Sequence, residues 1–411
     1  MKIKHANQKI TSPSPDLVDY FKDFLQNHPR ADFINKPQAS FKKIDQILDQ
    51  FKDKNHFVHI GIGGSHLGTK AIFDALGEDK ITFLANLDAD EIQGSLEKIN
   101  LEKSIFYVVS KSGETTETIA IMNIIINKLE SFLNKEIKIR EHFVFCTDPK
   151  NGYLRQLAQQ SQTQALDIFE NVGGRFSVLS NVSYLPLAFF KKNIEEIEKT
   201  KENFFEETLK NPIPLLENAQ TIFNLYKQGV NQTVLMPYSS MMKTVSSWFS
   251  QLWAESLGKV NIHSQAVGLT PICAHGSSDE HSQMQLFIEG PRNKFTFFIQ
   301  VQKSKAQLIM KKRLEHKKIK LMNGLELSDI LNYQLFGTLG AYDKLELPYS
   351  LLTIPEINKD NLAKVFLYFE LLTVAMGHLL EINPFDQPGV ELGKIEFMKN
   401  LETKPNTSKN V

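Results

Sequence analysis

From residue 56 onward the sequence alternates short β-branched and aromatic runs with helical stretches, and few folds accept that alternation. His56-Phe-Val-His-Ile reads as a strand. Gly61-Ile-Gly-Gly-Ser-His-Leu-Gly follows it and opens a helical pattern to Leu76. Ile81-Thr-Phe-Leu, Ser104-Ile-Phe-Tyr-Val-Val and His142-Phe-Val-Phe-Cys repeat the strand signal, the last two each followed by a polar loop and a helix. The pattern resumes at Gln232-Thr-Val-Leu-Met, with a Ser-rich loop and a helix through Trp253, and at Phe295-Thr-Phe-Phe-Ile-Gln-Val. Strands this apolar, separated by helices, pack as a parallel sheet covered on both faces. The expected fold class is α/β, with two doubly wound parallel-sheet domains and a helical N-terminal layer.

A chain of 411 residues is longer than one domain of common size. It buries a large core without disulfides or structural metals. Residues 1–50 are expected to be a helical segment packing on the second domain. Apolar residues at 41, 44, 47, 48 and 51 follow the 3.6-residue period there. Residues 51–195 form the first sheet domain and 196–411 the second, with C-terminal helices. The junction is placed in the charged, then proline-bearing stretch from Lys191 to Pro214. The polar tail from Glu402 onward reads as frayed.

Lys+Arg and Asp+Glu are both 47. That balance argues against a general binder of nucleic acid or anionic membrane, which needs a basic excess. Cys146 and Cys273 lie far apart and no CxxC exists, so neither a zinc ribbon nor a redox pair is expected. The thiols fit a reduced, cytoplasmic compartment. The N-terminus has no apolar stretch behind its lysines and does not read as a secretory signal. Val365–Leu380 is apolar but carries Glu370 near its middle. A carboxylate at a bilayer centre costs about 2.5–3.5 kcal/mol, so a buried core helix is expected.

Open parallel sheets bind ligands at the carboxyl ends of their strands, so the loops there carry the chemistry. Ser110-Lys111-Ser112-Gly113-Glu114-Thr115-Thr116-Glu117-Thr118 follows a strand and opens a helix. It places five hydroxyls, a glycine and the amides of a helix N-terminus together, which suits a phosphate monoester better than a simple capping box. Glu114 is expected to face solvent. The Gly61–Gly68 loop lies beside it and contributes Gly64 and Ser65. It is not a dinucleotide fingerprint, because His66 stands where a third glycine is required, and the chain has no P-loop. Asn171-Val-Gly-Gly-Arg175-Phe-Ser projects a permanent cation from a tight turn. Gln251-Leu-Trp-Ala-Glu255-Ser-Leu-Gly-Lys sets a carboxylate on a helix, beside Trp253, where it suits a base. Gly276-Ser-Ser-Asp-Glu-His281 is a polar loop; His275 and His281 lack any HExxH or cysteine context, so no metal is expected. Pro384-Phe-Asp386-Gln387-Pro-Gly-Val-Glu391-Leu-Gly-Lys394 is a turn leading into a helix. Taken singly, Arg175, Glu255, His281 and Lys394 each have a plain structural reading as well.

Together, GIGGSHLG, SKSGETTET, ENVGGRFS, QLWAESLGK, GSSDEHSQ and FDQPGVELGK run in this order from Gly61 to Lys394. The chain resembles the glucose-6-phosphate isomerase (phosphoglucose isomerase) family in its short bacterial form, over nearly its whole length. The resemblance implies two sugar-isomerase (SIS) domains and a reversible aldose–ketose conversion of glucose 6-phosphate and fructose 6-phosphate, in glycolysis and gluconeogenesis. It implies no cofactor, metal or nucleotide. Ser110, Ser112, Thr115 and Thr118, with amides near Lys111 and with Gly64 and Ser65, would hold the phosphate. Glu255 would move the proton between C1 and C2, and Arg175 would sit beside the cis-enediolate. His281 and Lys394 would assist ring opening, with Gln387 nearby. The resemblance also implies a homodimer in which His281 reaches the neighbouring subunit's site, and no nucleic-acid or membrane partner. Two alternatives stay open: a non-catalytic SIS-type sugar-phosphate-binding regulator, and a dual glucose/mannose-phosphate isomerase.

Overall fold

The computed structural model describes residues 1–8 and 10–403. The tail expectation for the residues beyond 403 lies outside them. Twelve strands are present among the described residues: β1 Lys2–Ala6, β2 His56–Ile60, β3 Ile81–Leu84, β4 Ser104–Val109, β5 Phe143–Thr147, β6 Ala165–Asp167, β7 Gln232–Pro237, β8 Lys259–Val260, β9 Ala266–Val267, β10 Thr270–Cys273, β11 Lys294–Val301 and β12 Tyr349–Ile354.

The first sheet runs β3-β2-β4-β5-β6, and every pairing in it is parallel. All six residues of β4 and all five of β5 are buried. Helices cover both faces, which is why these strands read as unbroken apolar runs. The β2–β4 register pairs Ile60 with Val108, so the loops leaving the two strands emerge side by side.

The second sheet runs β1-β12-β11-β7-β10. Four strands are parallel, and β1 closes the edge antiparallel to β12, with Ile3 opposite Leu352. This corrects the all-helical expectation for residues 1–50. Five residues with lysines at alternate positions have too little periodicity to stand out, and the edge of a distant sheet gives them their partner. The helices expected after them are present. Pro15–Asn27 is capped by the Ser14 hydroxyl and buries Leu17, Phe21, Phe24 and Leu25. Phe41–Gln50 buries Ile44 and Ile47.

The stretch from Lys191 to Pro214, where the junction was placed, is mostly the helix Ile194–Lys210. Its Glu198 and Lys201 are buried and paired at 2.8 Å. Tyr184 donates to Glu198 at 2.5 Å. Glu198 and Lys201 are i, i+3 partners on the buried face of this helix.

One apolar cluster joins the facing sides of both sheets, from Tyr107 and Val109 to Leu235, Phe297 and Leu352. The helix Lys359–Leu379 runs through it with fifteen buried residues. It is the one described helix long and apolar enough to cross a membrane, but its apolar window is 83% buried inside the protein. It is a core helix, as expected. Burial holds the Glu370 carboxyl well above the ordinary range.

Candidate active site

The two loops at the β2/β4 boundary form a cradle. Ser110 Oγ lies 2.7 Å from Thr115 Oγ1 and accepts from the Gly113 amide at 3.1 Å. Ser112 Oγ accepts from the Glu114 amide at 3.2 Å. Thr115 stands at the N-cap position of the eighteen-residue helix Thr116–Leu133, its hydroxyl turned to Ser110 and not to the helix amides. Thr118, in its first turn, is buried, and its hydroxyl has no protein partner. An orphaned buried hydroxyl in the first turn of a helix is free to meet a ligand or a water. Glu114 is exposed, as expected. Gly113 takes a φ of +70°, and a β-carbon on it would lie 3.0 Å from Thr147 Oγ1. The Lys111 ammonium does not turn to the cradle. It donates to the carbonyls of Glu170 and Val172, at 2.9 and 2.8 Å, and ties this loop to the turn carrying Arg175.

The glycine loop after β2 bridges the cradle to that turn. A β-carbon on Gly61 would lie 3.1 Å from the Val109 carbonyl. On Gly64 it would stand 2.2 Å from the Gly174 carbonyl carbon and 2.5 Å from the Arg175 nitrogen. Only glycine permits that backbone approach. The Ser65 carbonyl accepts from His59 Nε2 at 2.7 Å. Behind the loop, burial lowers His59 to about 4; burial, then His59 once it is protonated in acid, and Lys70 lower His66 to about 3. Both imidazoles are neutral at physiological pH.

Arg175 is the hub. Its side chain is 3% exposed. Nε donates to Ser256 Oγ at 2.7 Å. Nη1 donates to Glu255 Oε1 and to Gln387 Oε1, each at 3.0 Å. Nη2 donates to the carbonyls of Pro384 and Asp386, at 2.6 and 2.8 Å. All five donors of the guanidinium are therefore committed. Arg175 fixes Glu255 and Gln387 and has no free N–H left to offer to a ligand oxygen.

Glu255 belongs to the helix Lys243–Leu257. Its other oxygen accepts from Gln251 Nε2 at 3.1 Å, one turn earlier. Gln251 also meets the glycine loop, since a β-carbon on Gly63 would lie 3.0 Å from its Nε2. Trp253, expected beside the carboxylate, is turned into the core and donates to Thr233 Oγ1. Glu255 is thus set by an ion pair, not by an apolar wall. It lines a cavity of about 1080 Å³ with Gln251, Lys259, Asn383, Asp386 and Gln387.

Sequence reasoning passed over three residues. Gln251 stands at i−4 from Glu255, Ser256 directly follows it, and Lys259 ends the same motif. The Lys259 ammonium, 7% exposed, lies 3.0 Å from Asp386 Oδ1 and also donates to the Asp386 and Asn383 carbonyls. Burial and the nearby Arg175 lower it, and Asp386 partly restores it. Lys259 and Arg175 therefore grip the same turn from two sides. The one signal was that Lys259 closes the same motif just past the end of Glu255's helix.

Of the sequence candidates Glu255 and Gln387 line this cavity; Gly64, Ser65, Arg175, the hydroxyl loop from Ser110 to Thr118, His281 and Lys394 are not part of its lining. His281 is exposed, on the turn after β10. The nearby His275 pairs with Asp279 at 2.9 Å. Lys394 lies on the helix Glu391–Glu402, which buries no residue, and pairs with Glu391 at 2.7 Å. Among the described residues no group of three or more His, Cys, Asp or Glu side chains could hold a metal ion.

Two sheets joined by one core thus carry a hydroxyl-lined loop and a carboxylate held by an arginine. Residues 35–336 match the family model for phosphoglucose isomerase, and the chain belongs to that family. It is 33% identical to the glucose-6-phosphate isomerase of Carboxydothermus hydrogenoformans, over 87% of this chain and 81% of the relative. It is 36% identical to that of Thermus thermophilus, over 84% and 83%. A solved hypothetical protein from Thermus thermophilus superposes with a TM-score of 0.85 at 30% identity, covering 94% of this chain and 95% of that one. A glucose-6-phosphate isomerase from Chlamydia trachomatis shares the fold, with a TM-score of 0.79 at 22% identity over 95% and 84%.

Proposed function

We propose that the chain interconverts glucose 6-phosphate and fructose 6-phosphate through a cis-enediolate, with Glu255 as the shuttling base. The observation that carries this reading is the double grip on Glu255. One oxygen is held by Arg175 and the other by Gln251, so the carboxylate is presented to the cavity in one orientation. Proton transfer between adjacent carbons needs such a base over both of them.

The phosphate is held by Ser110, Ser112, Thr115 and Thr118, by amides near Lys111 and by Gly64 and Ser65. Binding energy from this remote group orients the reacting carbons. Arg175 acts mainly through what it holds. Its buried charge lies behind Glu255 and Gln387 and favours the negative charge of the enediolate, while Gln387 offers its amide N–H groups. Preorganised groups of this kind are often the largest catalytic term. His281 and Lys394 assist ring opening. For His281 we favour delivery from the partner subunit of a homodimer, consistent with its exposed turn. The reaction uses no metal or nucleotide, and we place the enzyme in the cytoplasm.

Purified protein is expected to convert fructose 6-phosphate to glucose 6-phosphate in a coupled assay with EDTA present. Saturable binding of fructose 6-phosphate without turnover would instead mark a non-catalytic sugar-phosphate binder. Turnover of mannose 6-phosphate at a comparable rate would identify the dual-specificity enzyme.

A further inference from the structure

The balanced net charge conceals a strong segregation. Between Lys303 and Lys320 eight lysines and arginines stand against a single acid, Glu315. Since the whole chain holds 47 charges of each sign, the remainder carries an excess of seven acids.

The segment leaves the carboxyl end of β11 and returns at the helix Leu327–Lys344. It is an excursion closed at its base. Leu327 N donates to the Leu308 carbonyl at 2.9 Å, Met310 N to that of Leu325 at 2.9 Å, and Gly324 N to that of Met310 at 2.8 Å. Further out, Lys312 N donates to Asn323 Oδ1 at 2.8 Å, and His316 caps the short helix Lys317–Met322. Lys312 pairs with Glu315. The other seven cations have no ion-pair partner among the described residues. Aliphatic side chains stand out between them: Leu308 is 60% exposed, Leu314 69% and Leu321 71%.

We propose that this excursion docks the enzyme on an anionic lipid bilayer. Clustered lysines are drawn to the negative surface potential of acidic lipids. Exposed aliphatic residues among them gain by entering the boundary between headgroups and acyl chains. A nucleic acid would satisfy the charge but would leave the leucines in water. The 303–322 stretch also has no Phe, Tyr or Trp on which bases could stack. None of its residues lines the cavity containing Glu255, so docking leaves that cavity clear.

The test is co-sedimentation of the full-length enzyme with phosphatidylcholine vesicles, with and without about 30 mol % phosphatidylserine, at about 0.15 M and 0.5 M salt. Binding is expected only with phosphatidylserine, weakening at least tenfold at the higher salt. The triple variant Lys311→Glu, Lys312→Glu, Arg313→Glu is expected to abolish it. The double variant Leu314→Ser, Leu321→Ser keeps every charge and is expected to weaken it several-fold. Retained isomerase turnover shows that both variants fold. Absence of wild-type binding to acidic vesicles overturns the proposal without reference to any variant. So does an unchanged affinity of the leucine variant, or tighter binding to an oligonucleotide than to the vesicles. Isomerase activity is read separately, so failure here leaves the catalytic proposal untouched.

Discussion

Arg175 shows how much a single side chain can organise. Its five donors meet five acceptors, drawn from the helix of Glu255 and from the turn at 384–387. Lysine has three donors and no fork, so Arg175→Lys orphans buried acceptors, at roughly 1–3 kcal/mol each. We expect a fall in kcat of at least tenfold and a lower urea midpoint; unchanged values of both would remove Arg175 from the positioning role. Gly64→Ala is the complementary case. Its new β-carbon would sit 2.2 Å from the backbone of Gly174, so one loop must move. Overpacking of this kind costs about 1–3 kcal/mol, and the loss is expected in both thermal stability and kcat. Much of this site was legible in the sequence, because Gly-Gly before Arg175 and the motifs around Glu255 and Gln387 are local. That Arg175 spends every donor was not legible, since its acceptors come from segments far away in the chain.

At the scale of elements, the glycine loop rests on His59 and His66, both held neutral by burial. An unfolded histidine takes up its proton near pH 6.5, whereas these do so in the native state only near 4 and 3. Between those limits the unfolded chain binds more protons, so stability rises with pH and falls as the solution is acidified. Each histidine contributes roughly 1.4 kcal/mol per pH unit within its window. Urea midpoints at pH 7, 6 and 5 are therefore expected to fall less steeply on acidification in His66→Phe than in wild type, the opposing contribution of buried Glu370 being common to both. A slope identical to wild type would exclude His66 from the effect. Elements also mark where the sequence stopped being informative. The apolar strands were plain because both faces are buried. β1 was hidden because five residues on a sheet edge owe their form to β12. The helix Ile194–Lys210 lies between the last strand of the first sheet and β7 of the second, but its buried Glu198–Lys201 pair could not be told in sequence from its exposed charges.

For the whole molecule, the question is where the exposed turn of His281 does its work. If it serves the partner's site, then Glu255→Gln and His281→Asn are defects that separate on mixing. A hybrid dimer has one site carrying both substitutions and one carrying neither. Mixing the two inactive variants under conditions of subunit exchange is expected to restore a clear fraction of wild-type activity. No recovery, with exchange verified, would place His281 in its own chain's site or outside catalysis. The two sheets, their shared core and the cradle at the carboxyl ends of β2 and β4 follow from local patterning. Assembly does not, because the residues that settle it are exposed in one chain.

The central claim is that Glu255 moves the proton while a separate cradle holds the phosphate. The most direct measurement is kcat for Glu255→Gln, paired with the affinity of that variant for fructose 6-phosphate by calorimetry. The expected result is a kcat at least a hundredfold lower, with sugar-phosphate binding within a few-fold of wild type. Wild-type-like turnover by Glu255→Gln would contradict the assignment of the base. Loss of binding in parallel with turnover would contradict the division of labour between carboxylate and cradle.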